Sequence, residues 1–208
     1  MVYSIAVALL IAYFLGNLNG AVLVSAMMHD DVRSHGSGNA GLTNFVRNFG
    51  AGRALYVIAI DVGKAVLACE ASRLMLTPFD MATEGTALGA LGVILGHTFP
   101  VLLGFKGGKG ILSGVTVALM LDWRLGLLVF GIFLIAYLLT KYVSLGSVLS
   151  AGSFGPIYAF LRPDVGIFPI AVGLFLSTLI VWKHRGNIAR LFKGEERKTN
   201  LLGKGKKQ

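Results

Sequence analysis

Two short segments of this 208-residue sequence combine glycines with side chains that can hold a phosphate. In GSGNAGLTN, which begins at Gly36, glycines let neighbouring backbone N–H groups turn toward one anion, while hydroxyls and amides add neutral donors. In FKGGKG, Lys106 and Lys109 add point charges to a glycine-rich backbone. Both segments therefore predict phosphate binding. The alternatives are a flexible connector for the first and a basic interfacial turn for the second.

Neither segment is a nucleotide-binding loop. Gly36, Gly38 and Gly41 have the spacing of a dinucleotide fingerprint, but an apolar span rather than a β-strand precedes them. The second segment is not a Walker A loop, because Lys109 is followed by Gly110 and not by Ser or Thr. What remains is the recognition of a small anion by backbone and side-chain donors.

A third polar cluster follows the last apolar run. His184 and Asn187 are spaced to share one helical face, and Arg190 lies about one turn further along. Glu196 could pair with these bases. An amphipathic helix at the membrane surface explains the same spacing equally well, so both interpretations stay open.

The elements that position these clusters must be membrane helices. The sequence is 55% hydrophobic and only 14% charged, and its mean hydropathy of +0.73 is too apolar for a soluble domain. Seven apolar runs approach the roughly 20 helical residues that cross a bilayer: residues 3–27, 51–76, 85–103, 110–121, 124–140, 147–161 and 166–182. We therefore predict one all-α integral membrane domain, residues 1–208, with about seven transmembrane helices. The fourth and sixth runs are short, so fewer spans with re-entrant hairpins are the alternative.

Basic residues set the expected orientation of these helices. They concentrate in the loops near residues 29–50, 104–110 and 141–147 and in the tail 183–208, all on one side. The positive-inside rule makes that side cytoplasmic, with the N-terminus outside and the C-terminus inside. The first run lacks the basic start of a cleavable signal peptide, so we expect it to remain attached. The net charge of +9 then reflects topology and attraction to anionic membrane lipids rather than nucleic-acid binding.

Ionisable side chains inside the apolar runs are costly and need partners. Asp61 and Lys64 are three residues apart on one face of the second run, which predicts an internal salt bridge rather than direct catalysis. His97 ends the third run, where a capping or packing role is expected. The lone cysteine, Cys69, permits no internal disulfide and is expected to be a packing residue.

Three of these segments, in order and on one predicted face, carry a resemblance to a known family. GSGNAGLTNFVR, FKGGKG and HRGNIARLFKGEE resemble the cytoplasmic motifs of the bacterial acyl-phosphate:glycerol-3-phosphate acyltransferases (PlsY). GNLNGA, GHTFP and SLGS are similar as well, so the likeness covers most of the chain. Leu42 stands where the family usually has alanine, and Ser113 replaces a common threonine.

The resemblance implies a reaction and a place for it. The 1-hydroxyl of glycerol 3-phosphate attacks the carbonyl of a fatty acyl phosphate, and 1-acylglycerol 3-phosphate and phosphate are formed. The site is expected on the cytoplasmic side of the bacterial inner membrane, where the acyl chain stays among apolar helices. We expect no cofactor and no obligatory protein partner. We expect no metal either, because no set of His, Asp and Glu has ligand spacing.

The resemblance also assigns roles to residues. The phosphate cradles comprise Ser37, Gly38, Asn39, Gly41, Thr43, Asn44, Gly107, Gly108, Lys109 and Gly110. Arg47, Lys106, Ser144, His184 and Asn187 surround glycerol 3-phosphate and the reacting carbonyl. Catalytic participation is expected of Ser37, Arg47, Lys106 and His184. Glu196 is expected to hold the bases of the tail in place.

The identity of the general base is open at this point. No cytoplasmic carboxylate has an evident place, and none of the histidines has an aspartate five residues on, as the His-x-x-x-x-Asp acyltransferases require. His184 and a substrate phosphate are the candidates, and we favour the phosphate. An acyl-enzyme on Ser37 is the alternative route. A small-anion transporter and a partner-docking membrane subunit are the alternative functions.

Overall fold

The computed structural model describes residues 1–199 and consists of helices joined by short turns. Its α-helices are α1 (Val2–Asn17), α2 (Gly20–Ala26), α3 (Leu42–Phe49), α4 (Ala54–Leu76), α5 (Ala82–Thr98), α6 (Ile111–Leu121), α7 (Trp123–Thr140), α8 (Val143–Leu161), α9 (Ile167–Lys183) and α10 (Arg185–Phe192). Single 3₁₀ turns cover Val32–Ser34, Thr77–Phe79 and Val101–Leu103, and residues 1–199 contain no strand. The all-α prediction is confirmed. Residues 200–208 of the predicted tail lie outside the described residues.

Three helical segments are long and apolar enough to cross a membrane by themselves. They are α7, α8, and α5 together with the 3₁₀ turn that follows it. The count rises to five if α1 with α2, and α9 with α10, each form one bent span. The other two predicted spans correspond to α4, which carries Asp61 and Lys64, and to α6, which has only 11 residues. The total of seven therefore stays a prediction.

The first predicted span, residues 3–27, is wrong as a continuous helix. α1 ends at Asn17, α2 begins at Gly20, and the two helices are bent by 44°. Asn19 stands at the break with an extended backbone, and its Oδ1 accepts the N–H of Val22 at 3.0 Å. An asparagine that caps a new helix competes with continuation of the old one, and this explains the break.

Segments predicted as loops contain helices. α3 lies inside the predicted loop near 29–50, and α10 lies inside the predicted tail. The predicted loop near 141–147 is wrong from Val143 onward, because α8 begins there and places Ser144 in its first turn. The sixth span is consequently not short, since α8 has 19 residues and continues through Pro156. Val143 is buried, so packing of this turn outweighs its polar character.

Glycines bring α1, α4 and α5 into close contact. A Cβ at Gly96 would lie 2.0 Å from the carbonyl oxygen of Tyr13, and one at Gly89 would lie 2.5 Å from that of Ala68. Membrane helices commonly associate through small residues that let their backbones approach. The hydroxyl of Tyr13 also donates to the carbonyl of Phe99 at 2.7 Å. The C-terminal half of α1 is thereby fixed beside the segment that leads to the two lysines.

The predicted intramembrane salt bridge is confirmed. Lys64 Nζ lies 2.7 Å from Asp61 Oδ1, and both side chains are almost completely buried. His97 is buried as well, with its Nδ1 2.8 Å from Lys64 Nζ, in agreement with the expected packing role. Cys69 is free and buried, as expected of a packing residue.

Candidate active site

The three predicted anion-binding segments meet around one cavity of about 580 Å³, which we call the basic cavity. Its lining residues are Gly36, Ser37, Gly38, Asn39, Asn44, Arg47, Asn48, Lys109, Lys183, Arg185, Gly186, Asn187, Arg190, Glu195, Glu196 and Arg197. Cations outnumber carboxylates in this lining, and amide side chains add neutral donors. Such a cavity attracts a small anion and can bind it through several hydrogen bonds.

Asn44 in α3 stabilises the conformation of the first segment, GSGNAG, which we call the glycine-rich segment. Its Oδ1 accepts the backbone N–H of Ser37 at 3.1 Å, and its Nδ2 donates to the carbonyls of Val32 and His35 at 2.9 and 3.0 Å. Gly38 has a φ of +67°, which favours glycine. The Asn44 amide is thus engaged with the backbone. The Ser37 side chain, by contrast, is exposed at the cavity and makes no hydrogen bond within residues 1–199.

Lys109 places an ammonium group with a lowered pKa in the basic cavity. Its Nζ donates a hydrogen bond to Asn187 Oδ1, which links the second segment to α10. Burial, followed by the charge of nearby Arg190, lowers the pKa of Lys109 to about 8. The ammonium is therefore charged at neutral pH and becomes neutral within an accessible alkaline range.

The three glycines around Lys109 shape the backbone. A Cβ at Gly107 would lie 2.1 Å from the carbonyl oxygen of His97, and one at Gly108 would lie 2.2 Å from His97 Nε2. Gly110 has a φ of +84° and is the N-cap of α6. The described lining of the basic cavity does not include these glycines. Close packing against His97 of α5 explains glycine at positions 107 and 108, and the positive φ explains it at position 110. Together they set the turn from which Lys109 reaches the cavity.

Glu196 organises the wall that the tail contributes. Its Oε1 accepts from Asn187 Nδ2 at 2.9 Å, and its Oε2 accepts from Arg190 Nε at 2.7 Å. Burial would raise the pKa of the Glu196 carboxyl, but the hydrogen bonds from Asn187 and Arg190 outweigh it and lower the pKa. The expectation that Glu196 holds the bases of the tail in place is confirmed.

Arg47 connects α3 to the end of the described chain. Its Nε donates to Thr199 Oγ1 at 2.8 Å, and a terminal nitrogen donates to the carbonyl of Arg197 at 3.2 Å. Thr199 is itself anchored, because its N–H donates to the carbonyl of Lys141 at 3.0 Å and its carbonyl accepts from the Tyr137 hydroxyl at 3.1 Å. The tail thus runs from α10 back to α7, and this path orients Arg47.

Ser144 and His184 are buried and lie outside the described lining of the basic cavity. Ser144 Oγ makes no hydrogen bond of good geometry in the described chain, although it is near enough to Glu196 to lower that carboxyl's pKa. His184 Nδ1 lies 2.8 Å from the carbonyl oxygen of Ile180, so the proton sits on Nδ1 and Nε2 keeps its lone pair. Burial lowers the pKa of His184 to about 4, which leaves the imidazole neutral at pH 7.

Lys106, Gly41 and Thr43 also lie outside the described lining of the basic cavity. Lys106 lines a second cavity of about 590 Å³, which shares Gly38 with the first. Gly41 is the N-cap of α3, and Thr43 lies in its first turn. The predicted site residues that do line the basic cavity are Ser37, Gly38, Asn39, Asn44, Arg47, Lys109 and Asn187.

Known glycerol-3-phosphate acyltransferases are similar to this chain in sequence and in structure. The sequence model of the glycerol-3-phosphate acyltransferases matches residues 6–194. The chain belongs to this family. A glycerol-3-phosphate acyltransferase of Prochlorococcus marinus (strain MIT 9215) is 39% identical over 191 residues, which cover 91% of this chain and 94% of that protein. One of Thermoanaerobacter sp. (strain X514) is 37% identical over 197 residues, with 94% and 96% coverage.

A solved structure with the same fold is that of PlsY (YgiH), an integral membrane glycerol 3-phosphate acyltransferase. Its glycerol 3-phosphate form is 29% identical, has a TM-score of 0.82, and the match covers 96% of this chain and 97% of that one. Its lysophosphatidic acid form is 27% identical with a TM-score of 0.81 and the same coverage. The chain is therefore a multi-pass integral membrane protein of the acyltransferase family.

Several residues that line the basic cavity were not predicted as site residues. They are Gly36, Asn48, Lys183, Arg185, Gly186, Arg190, Glu195 and Arg197. Asn48 lies one helical turn after Asn44 and donates to its Oδ1 at 3.1 Å, a pairing that the i, i+4 spacing could have indicated. Arg185 and Arg190 belong to the third motif and Lys183 and Arg197 flank it, and the spacing there indicated a helix without showing which side faces the cavity.

Proposed function

We propose that this protein transfers a fatty acyl group from acyl phosphate to the 1-hydroxyl of glycerol 3-phosphate, giving 1-acylglycerol 3-phosphate and inorganic phosphate. The observation that carries the proposal is the basic cavity, where cations and neutral donors from three segments converge. Both substrates carry phosphate groups that such a cavity suits. The related PlsY structures in glycerol 3-phosphate and lysophosphatidic acid forms support the same acceptor and product.

In the proposed reaction the hydroxyl oxygen attacks the acyl carbonyl carbon, and the bond between that carbon and the phosphate oxygen breaks. The hydroxyl proton passes to a substrate phosphate. The phosphate monoanion has a pKa of roughly 6, so the dianion is a usable base near neutral pH. His184 is a weaker base in comparison, because its pKa is about 4. The cations of the cavity stabilise charge that grows on the leaving phosphate.

Each group of site residues has a proposed task. Arg47, Lys106 and Lys109 bind phosphate oxygens or the developing negative charge, and Ser37 and His184 contact the reacting groups. The remaining predicted residues form the phosphate cradles or support them: Gly38, Asn39, Gly41, Thr43, Asn44, Gly107, Gly108, Gly110, Ser144 and Asn187. We assign no metal or other cofactor and no obligatory protein partner to the reaction. Within residues 1–199 no group of three or more His, Cys, Asp or Glu side chains is arranged to hold a metal ion.

The proposal includes seven membrane spans with the active site on the cytoplasmic face of the bacterial inner membrane. Five spans are α1 with α2, α5, α7, α8, and α9 with α10, and the other two are α4 and the short α6. The basic cavity lies at the ends of these helices. Loops rich in Lys and Arg stay on the cytoplasmic side of a membrane, so we place the cavity on that side. The N-terminus is then outside and the C-terminus inside. The acyl chain of the donor remains in the bilayer while its phosphate enters the cavity.

One assay tests this function directly. The protein is purified in detergent and supplied with palmitoyl phosphate and glycerol 3-phosphate, without any partner or membrane gradient. We expect 1-acylglycerol 3-phosphate and phosphate in equal amounts. Absence of product, together with phosphate uptake when the protein is placed in vesicles, would identify a transporter instead.

Replacement of Arg47 by lysine tests the phosphate contact of a guanidinium. Arg47 donates from Nε and Nη2 to Thr199 and Arg197, which leaves Nη1 for a phosphate in the cavity that Arg47 lines. A lysine ammonium is a compact point charge and cannot make the contacts to the tail and the contact to phosphate together. We expect Arg47→Lys to lower kcat/KM by about 10²-fold or more. Arg53→Lys, at an exposed position outside the described cavity lining, should leave it unchanged. Near-normal kinetics of Arg47→Lys in folded protein would remove Arg47 from the site.

Ser37 distinguishes direct transfer from an acyl-enzyme. A nucleophilic serine needs a base within hydrogen-bond reach, and the Ser37 hydroxyl has no hydrogen-bonded base within residues 1–199. We therefore expect no radioactive acyl group on the protein after acid quench during turnover of labelled palmitoyl phosphate. Stoichiometric label on wild-type protein that disappears in Ser37→Ala would establish the covalent route.

The pH dependence follows from the two shifted groups at the cavity. Burial lowers the pKa of Lys109 to about 8, so kcat/KM should fall as pH rises through this value and the ammonium loses its charge. His184, with a pKa of about 4, remains neutral across the same range, so the acidic limb should follow a substrate phosphate near roughly 6. Lys109→Arg should move only the alkaline limb upward, because a guanidinium stays protonated. An alkaline limb that does not move in this variant would contradict the assignment.

A further inference from the structure

A buried ammonium in α4 contacts groups from two other segments of the chain. Lys64 Nζ lies 2.7 Å from Asp61 Oδ1, 2.7 Å from the carbonyl oxygen of Leu18 and 2.8 Å from His97 Nδ1. The carbonyl oxygen of Gly16 is more distant, at 3.4 Å. The side chains of Lys64, Asp61 and His97 are 1%, 2% and 5% exposed.

The protons of this cluster can be assigned from its geometry. An ammonium has three protons and no lone pair, and three close acceptors surround Lys64. His97 must therefore accept at Nδ1, which puts its own proton on Nε2 and keeps the ring neutral. Asp61 then balances the single charge of Lys64. Because a buried ion pair often stabilises a protein no more than apolar residues of the same volume, stability alone does not account for it.

One side of the cluster reaches the glycine-rich segment. The break after α1 leaves the carbonyl of Leu18 without a helical partner, and Lys64 satisfies it, while the N–H of Gly20 donates to Asp61 Oδ1 at 3.2 Å. Asn19 lies between these two contacts, and its Nδ2 donates to the carbonyl of Ala40 at 2.9 Å. The cluster thus fixes the break, and the break fixes a segment that lines the basic cavity.

The other side of the cluster reaches FKGGKG, the segment that contains Lys106 and Lys109, which we call the lysine segment. His97 accepts the N–H of Gly108 on its backbone carbonyl at 3.0 Å. The space beside its ring admits only glycine at position 108, since a Cβ there would lie 2.2 Å from Nε2. The ring and the backbone carbonyl of His97 both adjoin Gly108, the residue directly before Lys109.

We infer that Lys64, Asp61 and His97 are positioning residues, which set the distance between the glycine-rich segment and the lysine segment through Asn19 and Gly108. None of the three belongs to the described lining of either cavity. The inference rests on the proposed function in one respect, that the two segments hold the reacting groups of the two substrates. A shift of about 1 Å between such groups can lower the rate about 10²-fold without loss of binding.

A double substitution separates positioning from stability. Lys64→Met alone leaves Asp61 buried and unpaired, so the folded protein should lose thermal stability. Asp61→Asn/Lys64→Met removes both charges, and its melting temperature should return toward that of the wild type. The tie to Leu18 and His97 remains broken, so we expect kcat to stay about 10²-fold low while KM for glycerol 3-phosphate changes little. Recovery of kcat together with stability would overturn the inference.

Asp122→Asn is the matched control. Asp122 is a buried carboxylate 2.7 Å from Arg124, at the opposite end of α6 from Gly110. Its loss should lower stability while kcat of the folded protein stays the same. If kcat fell equally in this variant and in the double variant, impaired folding would explain both losses, and the positioning role would be contradicted.

His97 offers a test that leaves both buried charges in place. Asparagine puts its Oδ1 near the position of histidine Nδ1 and can still accept from Lys64, whereas the glutamine oxygen lies one bond further out. We expect kcat of His97→Asn within about threefold of the wild type and kcat of His97→Gln at least tenfold lower. Equal rates for the two variants would contradict a positioning role.

Spin labels measure the distance between the glycine-rich segment and the lysine segment without any substrate. Cysteines at exposed Ser34 and Phe105, beside the two segments, are labelled in a Cys69→Ala background, since Cys69 is the only native cysteine. We expect a narrow distance distribution in the wild-type background and in Asp122→Asn, and a broader or shifted one in the double variant. An unchanged distribution would refute the inference even if activity falls. Because the measurement needs no turnover, it remains decisive if the wild type fails the acyl phosphate assay.

Discussion

Lys109→Ala should lower kcat/KM with palmitoyl phosphate by about 10²-fold or more, which is the loss expected when a preorganised donor to developing charge is removed. Lys109 is the cation that links two motifs, because it extends from the lysine segment to Asn187 on α10. Its lowered pKa, about 8, reflects burial first and the repulsion of Arg190 second. An incoming phosphate relieves that repulsion, so the protein with an empty site is prepared to bind an anion.

Product inhibition supplies a second measurement on the same variant. Inorganic phosphate should inhibit the wild type by occupying the cavity, and Lys109→Ala should raise the inhibition constant along with the loss of donor use. Lys193→Ala, an exposed lysine outside the described lining, serves as the control and should alter neither value. A fall in kcat/KM without any change in phosphate inhibition would mean that Lys109 supports the fold of the loop and does not contact phosphate.

The helical framework could be predicted because long apolar runs have few alternatives in a membrane. The same reasoning failed at Asn19, since hydropathy averages over a window and a single capping side chain has little weight in it. It failed again at Val143, where a polar sequence is helical because its first turn packs against the bundle. Local signals of this kind are weaker than tertiary contacts, and sequence alone does not reveal those contacts.

The location of the candidate site could be predicted, but its supporting contacts could not. Three glycine-rich or basic motifs on one predicted face implied a shared cavity, and seven of the predicted residues line it. The contact between Arg47 and Thr199 joins residues 152 positions apart and has no local signature. Gly107, Gly108 and Gly110 were assigned to phosphate from their type, whereas the structure accounts for the first two by contact with His97 and for Gly110 by its positive φ.

Donor selectivity should be the largest effect of all, with acyl phosphate preferred over acyl-coenzyme A by roughly 10³-fold or more in kcat/KM. The leaving group decides this preference. A departing phosphate acquires charge that nearby cations and N–H groups can stabilise, and only stabilisation that increases toward the transition state accelerates the transfer. A thiolate has no phosphate at the bond that breaks, so the same donors would remain unpaired.

The shape of the cavity gives a second reason for the same selectivity. Its volume is about 580 Å³, and no residue in its described lining is aromatic, so it offers no stacking partner for an adenine ring. We expect robust turnover of palmitoyl phosphate and negligible turnover of palmitoyl-coenzyme A or of the palmitoyl thioester of acyl carrier protein. The assay follows labelled glycerol 3-phosphate into lipid at matched donor concentrations. Comparable kcat/KM for thioester and acyl phosphate would refute the donor assignment while leaving glycerol 3-phosphate as the acceptor, because the basic cavity could still hold the acceptor's phosphate.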